Sequence, residues 1–222
     1  MKINSTWVVI PAYNEERNIS RIIKKTKRYV SEVIVVDDGS TDRTKQFGEN
    51  AGAVVLRHIV NLGKGAALKT GCDFAVKKGA KFIIARDADA QHNPQDIPRF
   101  IEKLKKYDIV FSYRKPGRKM PFVLRFGNWF ISGIVGFLYG VSLRDTQSGF
   151  RAFSKEAYKK VRWNASDYSM ESEMIANAGK QKLKYVQIPI ETIYSDKYKG
   201  TTVIDGIKIV LNMIWWKLFN NR

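Results

Sequence analysis

A chain of 222 residues, 44% of them hydrophobic, can bury a core of its own as one sizeable α/β domain or at most two small ones. Its 39 Lys and Arg against 21 Asp and Glu leave a charge of +18, which points to an anionic partner: nucleic acid, an acidic membrane surface or a phosphorylated substrate. The single cysteine, Cys72, excludes an internal disulfide, and two histidines without HExxH spacing weigh against a His-based zinc site. No internal repeat or low-complexity linker is present, and the N-terminus lacks a signal-peptide core, so the chain is expected on the cytosolic side.

The first segment, "WVVIPAYN", reads as a short apolar strand ending at Pro11. "EERNISRIIKKTKRYV" follows, with Ile19, Ile22, Ile23 and Val30 at helical spacing. Next come a strand from Val33 to Val36, a short helix closed by Gly52, and a third strand in "AVVLRHI". "GKGAALKTGCDFAVKKG" is a helix ending at Gly79, "KFIIARD" a fourth strand, "DIPRFIEKLKKY" a helix and "DIVFSYR" a fifth strand. Strands alternating with helices over the first 114 residues predict a mostly parallel sheet with helices on both faces.

Ligands of such sheets bind at the carboxyl ends of the strands. Four of those ends are polar here: Tyr13-Asn14-Glu15, Asp37-Asp38, Asp87-Ala88-Asp89 and Tyr113-Arg114. One Asp-Gly turn is ordinarily just a turn, but acidic or amide groups at three successive ends are harder to attribute to loop chemistry. Asp87 and Asp89 could form a solvated turn, a general acid/base pair or a metal site. Glycosidase carboxylates flank their substrate from two sides, whereas these two leave one loop together. With Gln91 they can offer oxygen ligands to Mg2+ or Mn2+ bridging a diphosphate.

The segments "VVIPAYNEERNI", "VIVVDDGSTDRT", "NLGKGAALKTG" and "ARDADAQHNPQDI", in that order, closely resemble the inverting family 2 glycosyltransferases that include dolichyl- and polyprenyl-phosphate mannose and glucose synthases. "DTQSGFRAFSKEAY" resembles the acceptor-side motif of that family, and the likeness spans residues 7 to about 200. The resemblance implies a GT-A fold, a Rossmann-like sheet binding a nucleotide-diphosphate sugar such as GDP-mannose or UDP-glucose, and a divalent metal held through a DxD motif. It implies that Pro11, Ala12, Tyr13, Asn14 and Glu15 line base and ribose, and that Asp37 or Asp38 reads the base edge. Asp87, Ala88 and Asp89 then meet the metal-bound diphosphate, with Asp89 the principal ligand. Glu15 has a second reading as a carboxylate stabilising a helix N-terminus. Gly63 and Gly65 read either as a phosphate cradle or as a tight turn, with Lys64 facing solvent or nucleotide.

After residue 114 the chain turns basic, then apolar. "SYRKPGRKMPFVLR" carries Arg114, Lys115, Arg118, Lys119 and Arg125 and no acid; it is a solvated loop or a holder of donor and acceptor phosphates. Residues 126–143 contain no charge, yet four glycines and a polar stripe of Arg125, Asn128 and Ser132 argue against a span. Crossing the bilayer there would also put the metal loop and "DTQSGFR" on opposite sides. The segment 203–219 repeats the stripe with Asp205, Lys208 and Asn212 and adds Trp215 and Trp216. Amphipathic helices over about 122–140 and 203–219 are either core or dimer helices, or lie in the membrane interface. Family resemblance favours the interface, with a polyprenyl phosphate acceptor.

The expected organisation is one GT-A domain over 1–222, with a nucleotide-sugar half over 1–114 and an acceptor half over 115–222. Catalytic groups are expected at Asp89, Arg114, Arg125, Asp145 and Gln147, with acceptor contacts from Arg118, Arg125 and Arg151 and a role for Glu171 or Glu173. Many relatives carry a late Arg followed by Gly-Ser-Lys; Thr192 and Tyr194 stand near that place here, leaving Lys197 or Lys199 to replace the phosphate contact. The chain ends at Arg222, so it is expected to be peripheral on the inner face of the membrane. Other readings are a glycosyltransferase with a saccharide or protein acceptor, and a basic nucleic-acid-binding protein. For the latter no recognition motif is present, and acidic strand ends repel phosphate unless a metal intervenes.

Overall fold

The computed structural model describes residues 3–114 and 122–191, together with Leu211, Met213 and Trp215; residues 3, 4 and 122–129 are described by backbone course only. Five strands come from the first 114 residues: β1 (Ile3–Ala12), β2 (Val30–Asp37), β3 (Val54–Arg57), β4 (Phe82–Ala85) and β5 (Ile109–Arg114). Two later ones, β6 (Arg151–Ser154) and β7 (Tyr185–Ile190), complete a seven-stranded sheet in the order β3-β2-β1-β4-β6-β5-β7. β6 runs antiparallel to both β4 and β5; the other neighbours are parallel.

Alternation along the central strands builds two cores. Val9, Ile34, Val36, Ile83 and Ala85 point to one face, where α3 (Lys64–Lys77), α5 (Phe122–Tyr139), α6 (Lys155–Val161) and α7 (Met170–Lys180) pack. Val8, Ile10, Val33, Val35 and Ile84 point to the other, which is covered by α1 (Ile19–Thr26) and α4 (Ile97–Lys103), with Phe47 of α2 (Thr44–Asn50) at its margin. Each fully buried Val or Ile contributes about 1.5–3 kcal/mol before chain entropy is counted. Close approach is enforced at Gly71, where a Cβ would strike the Val9 and Val36 side chains.

Two local expectations change. Val30 does not belong to α1: the helix ends at Thr26, the Tyr29 N–H closes a turn on the Thr26 carbonyl at 3.0 Å, and Val30 starts β2 opposite Ile3. The helical spacing of Val30 was coincidental, because a strand also needs an apolar residue at that end. Like β7, β6 had no counterpart among the predicted elements. It is four residues long and begins with an arginine, which reads as loop until its buried partners are known. Because β6 runs backwards, its entry, residues 145–150, lies at the carboxyl ends of β4 and β5. That reversal brings the "DTQSGFR" segment to the loop that follows β4.

Candidate active site

The loop after β4 is fixed from beneath by a buried cation. Arg86 donates to Thr26 Oγ1 at 2.8 Å and to the His92 carbonyl at 3.0 Å, drawing both ends of the 87–92 loop together. His92 is buried, stacks on Phe150 and has its pKa pushed down to about 4 by burial, so it packs as a neutral ring. Above this floor, Asp89 accepts the Gln91 N–H at 3.0 Å and Ala90 takes φ 61°, the left-handed geometry of a tight turn. Burial, and then the charge of Asp87, push the Asp89 carboxyl up to about 6. Burial acts on Asp87 the same way, but Lys64 and other cations outweigh it and hold its pKa low.

Lys64 is the surprise of the site. Its Nζ lies 2.8 Å from Asp87 Oδ1 and 2.8 Å from Glu171 Oε1, joining the start of α3 to the start of α7. The glycines on either side make this possible. Gly63 takes φ 97°, and a Cβ there would fall 2.5 Å from the Ser166 carbonyl oxygen; one at Gly65 would strike the Ala165 carbonyl. The Ala66 N–H donates to Ser166 O at 3.1 Å and Trp163 Nε1 donates to Gly65 O at 2.9 Å. Gly63 makes the tight turn that is one of the two readings of the GxG. The glycines let the 165–167 backbone close on α3.

At the ends of β1 and β2, Asn14 takes φ 54° and accepts the Thr41 N–H at 3.0 Å, while its own N–H donates to Ser40 Oγ at 2.9 Å. Tyr13 is left 46% exposed beside Pro11 and Ala12. Glu15 is buried; its carbonyl accepts the N–H groups of Asn18 and Ile19, and its carboxylate accepts from the Asn18 amide at 3.0 Å. The N-cap side chain of Asn18 makes no bond to a backbone N–H of α1, so Glu15 shapes the turn into the helix through its carbonyl and through Asn18. Asp37 and Asp38 are both buried and differ in task. Asp38 accepts from Leu62 and Gly63 N–H at 3.0 and 2.8 Å and lies 2.6 Å from His58 Nδ1, so it fixes the 58–63 loop. Asp37 accepts the Ser40 N–H, and its second oxygen is 3.4 Å from Arg57 Nε.

Across the site, Arg114 at the end of β5 makes a bidentate pair with Asp145, at 2.6 and 3.1 Å, and Asp145 also accepts the Gln147 N–H. Asp145 orients this guanidinium. Arg151 departs from its expected place on the acceptor side. It is 2% exposed, and its guanidinium donates to the carbonyls of Ser148, Glu171 and Thr146. Glu173 likewise turns inward, accepting the Asn164 and Ala165 N–H groups. Glu171 is the one of the pair that reaches the loop after β4, through the lysine it shares with Asp87. Arg118, Lys197 and Lys199 lie outside the described residues, and Arg125 is placed only as a backbone position on α5.

Gly149 abuts the Asp87 carboxylate so closely that a Cβ would occupy its space. Gly149→Ala is expected to push Asp87 aside and slow turnover at this site by about tenfold or more, ~1.4 kcal/mol in barrier, with a melting temperature close to wild type. A normal rate would show that the placement of Asp87 is immaterial.

Among the described residues no group of three or more His, Cys, Asp or Glu side chains is placed to hold a metal ion. The donor set is smaller: two carboxylates one residue apart, with Gln91 beside them. It suits a cation whose remaining positions are filled by diphosphate oxygens and water. Asp89 fits that role, because only one of its oxygens accepts a bond from a described residue.

A mostly parallel sheet with one reversed strand, and paired carboxylates at its carboxyl edge, has the architecture of the GT-A fold. The family model described as "Glycosyl transferase family 2" matches residues 7–162, and the chain belongs to that family. It is 39% identical to an uncharacterised protein of Methanocaldococcus jannaschii, over 96% of this chain and 92% of that one. It is 33% identical to the UDP-N-acetylglucosamine–dolichyl-phosphate N-acetylglucosaminyltransferase of Methanococcus voltae, over 96% of each. The fold matches the glucosyl-3-phosphoglycerate synthase of Mycobacterium tuberculosis, solved with Mn2+, UDP and glucosyl-3-phosphoglycerate, with TM-score 0.72 and 23% identity over 97% of this chain and 79% of that one.

Proposed function

We propose that the chain transfers a hexose or N-acetylhexosamine from a nucleoside diphosphate sugar to a polyprenyl (dolichyl) phosphate, with inversion, using Mg2+ or Mn2+ held by Asp87 and Asp89 with Gln91 beside them. The observation that carries this reading is the convergence of Asp87, Asp89, Lys64 and the Arg114–Asp145 pair at the carboxyl edge of the sheet. When bound, the cation supplies Lewis-acid stabilisation of the leaving diphosphate. A phosphate oxygen of the acceptor forms the new bond to the anomeric carbon as the bond from that carbon to the diphosphate breaks, and the electron pair leaves with the nucleoside diphosphate. The acceptor is anionic at neutral pH, so no general base is required. Asp145, whose oxygens already accept from Arg114 and Gln147, is not arranged as one. Alignment and charge stabilisation carry the rate. Arg114 and Arg125 hold phosphates, with Arg118 and Lys197 or Lys199 on the acceptor side; Pro11 to Glu15 and Asp37 line base and ribose.

The acceptor reading draws on the dolichyl-phosphate relative and on the exposed side of α5, where Phe130 and Phe137 are 49% and 90% exposed. Leu211 and Trp215 are exposed on the C-terminal segment, which Tyr139 ties to α5 through the Met213 carbonyl. No helix among the described residues is long and apolar enough to cross a membrane. Such surfaces suit peripheral attachment to the cytosolic leaflet, and the charge of +18 suits its anionic lipid. The test incubates the full chain with labelled UDP- and GDP-sugars, polyprenyl phosphate and Mg2+ or Mn2+. Label is expected in the lipid fraction only when metal is present. Absence of transfer from every donor would refute the activity, and retention on DNA but not on anionic liposomes would favour the nucleic-acid reading.

A further inference from the structure

Lys64 and a divalent cation have the same requirement, the negative charge of Asp87. In the structure the lysine already meets it, with its Nζ shared at 2.8 Å between Asp87 Oδ1 and Glu171 Oε1. The surroundings are close: the side chains of Lys64 and Asp87 are 19% and 22% exposed, and Tyr168 stands 5.5 Å from the ammonium. Burial alone would lower the lysine pKa, but the two carboxylates more than offset it and hold the amine protonated. Glu171 is 2% exposed, and its other oxygen, Oε2, is buried with no hydrogen-bond partner among the described residues. A buried carboxylate oxygen without a donor is costly unless something comes to it. An ammonium carries three donors, and a small movement of the one on Oε1 would let it serve Oε2 as well.

We propose that Lys64 is an internal competitor for the cation at Asp87 and that Glu171 is the positioning residue that receives its ammonium when Asp87 is given up. This rests on the reading that Asp87 and Asp89 hold the metal. With no donor bound, Lys64 neutralises Asp87 and disfavours cation entry. When the cation arrives with a nucleoside diphosphate, Lys64 swings onto both oxygens of Glu171. The device makes metal and nucleotide enter together, and it gives Glu171 a function that no family motif in the sequence marks.

The test measures Mn2+ binding to the full chain by electron paramagnetic resonance, first alone and then with UDP or GDP. Wild type is expected to bind Mn2+ alone weakly. Lys64→Met should bind it about tenfold tighter and Glu171→Gln about tenfold weaker, in the range of a typical coupling between sites. In the Lys64→Met background Glu171→Gln should change the affinity by less than about threefold, because Glu171 acts through the lysine. Unchanged or weaker Mn2+ binding by Lys64→Met overturns the proposal. So does an equal loss from Glu171→Gln in both backgrounds, which would mark a simple charge effect. A second measurement uses wild type alone: the side-chain 15N resonance of Lys64, assigned with Lys64→Arg, is expected to shift when Mg2+ is added. A resonance that stays in place as Mg2+ saturates the site overturns it as well. If wild type and all variants bind no Mn2+ even with UDP or GDP, the metal reading beneath the proposal fails, and the proposal with it.

Discussion

Replacing Asp89 with Ala is expected to lower sugar transfer by about two to three orders of magnitude, the usual cost of losing one preorganised charge-stabilising group. The fold should be spared. Among the described residues Asp89 supports only the Gln91 N–H, on a turn that Arg86 anchors independently through Thr26 and the His92 carbonyl. Its carboxylate is also crowded by Asp87, the like charge that helps push its pKa up to about 6. Removing it relieves repulsion in the metal-free protein, so thermal melting without ligand should be equal to wild type or slightly higher. The two proteins should part when Mn2+ and a nucleoside diphosphate are added. Wild type gains stability by ligand linkage, about 2.7 kcal/mol at a hundredfold excess over Kd, and Asp89→Ala gains little. Normal turnover by Asp89→Ala would overturn the metal assignment; a low melting temperature without ligand would show that the turn depends on this side chain.

The first five strands were legible because their evidence is local. The apolar runs of β1, β2 and β4 and the helical spacing of Ile19, Ile22 and Ile23 signal themselves within a few residues, and the polar residues at the strand ends mark the edge where the site forms. What escaped depends on contacts far apart in sequence. Lys64 meets Glu171 across 107 residues, and nothing near either residue signals the other. The glycines of "NLGKG" were ambiguous for the same reason, since the carbonyls that exclude a Cβ belong to residues 165 and 166. Asp37 and Asp38 look equivalent in "VVDDG", but only the fold shows Asp38 spent on Leu62, Gly63 and His58. A signal for Glu171 did exist. It is an acidic residue at the second position of α7, inside a largely buried helix, and a buried carboxylate needs a cation.

Arg151→Met tests the other reassignment, from acceptor contact to internal strut. The guanidinium donates to Ser148 O at 2.8 Å, Glu171 O at 2.9 Å and Thr146 O at 2.6 Å, and lies over the Phe111 ring at 5.4 Å. Burial lowers its pKa, while Glu171, Asp145 and Asp87 favour its charge, so it also serves as a buried counter-ion beneath an acidic site. Methionine fills much of the volume but withdraws the guanidinium donors from three buried carbonyl bonds. Each costs about 1–3 kcal/mol when buried, less than additively, so a total loss of roughly 3–5 kcal/mol is expected. For a chain of this size that is a fall of about 10 °C or more in melting temperature. Lysine can reach at most some of the three acceptors and should recover only part of the loss. Arg114→Met provides the contrast. That side chain is 15% exposed and holds the buried Asp145 carboxylate at the strand end, so its removal should cost most of the transfer rate and, because Asp145 loses its cation, measurable stability as well. Each variant is read by calorimetry and by transfer assayed well below its melting temperature. If Arg151→Met melts with wild type yet fails to transfer, the strut role is wrong and Arg151 belongs with the acceptor after all.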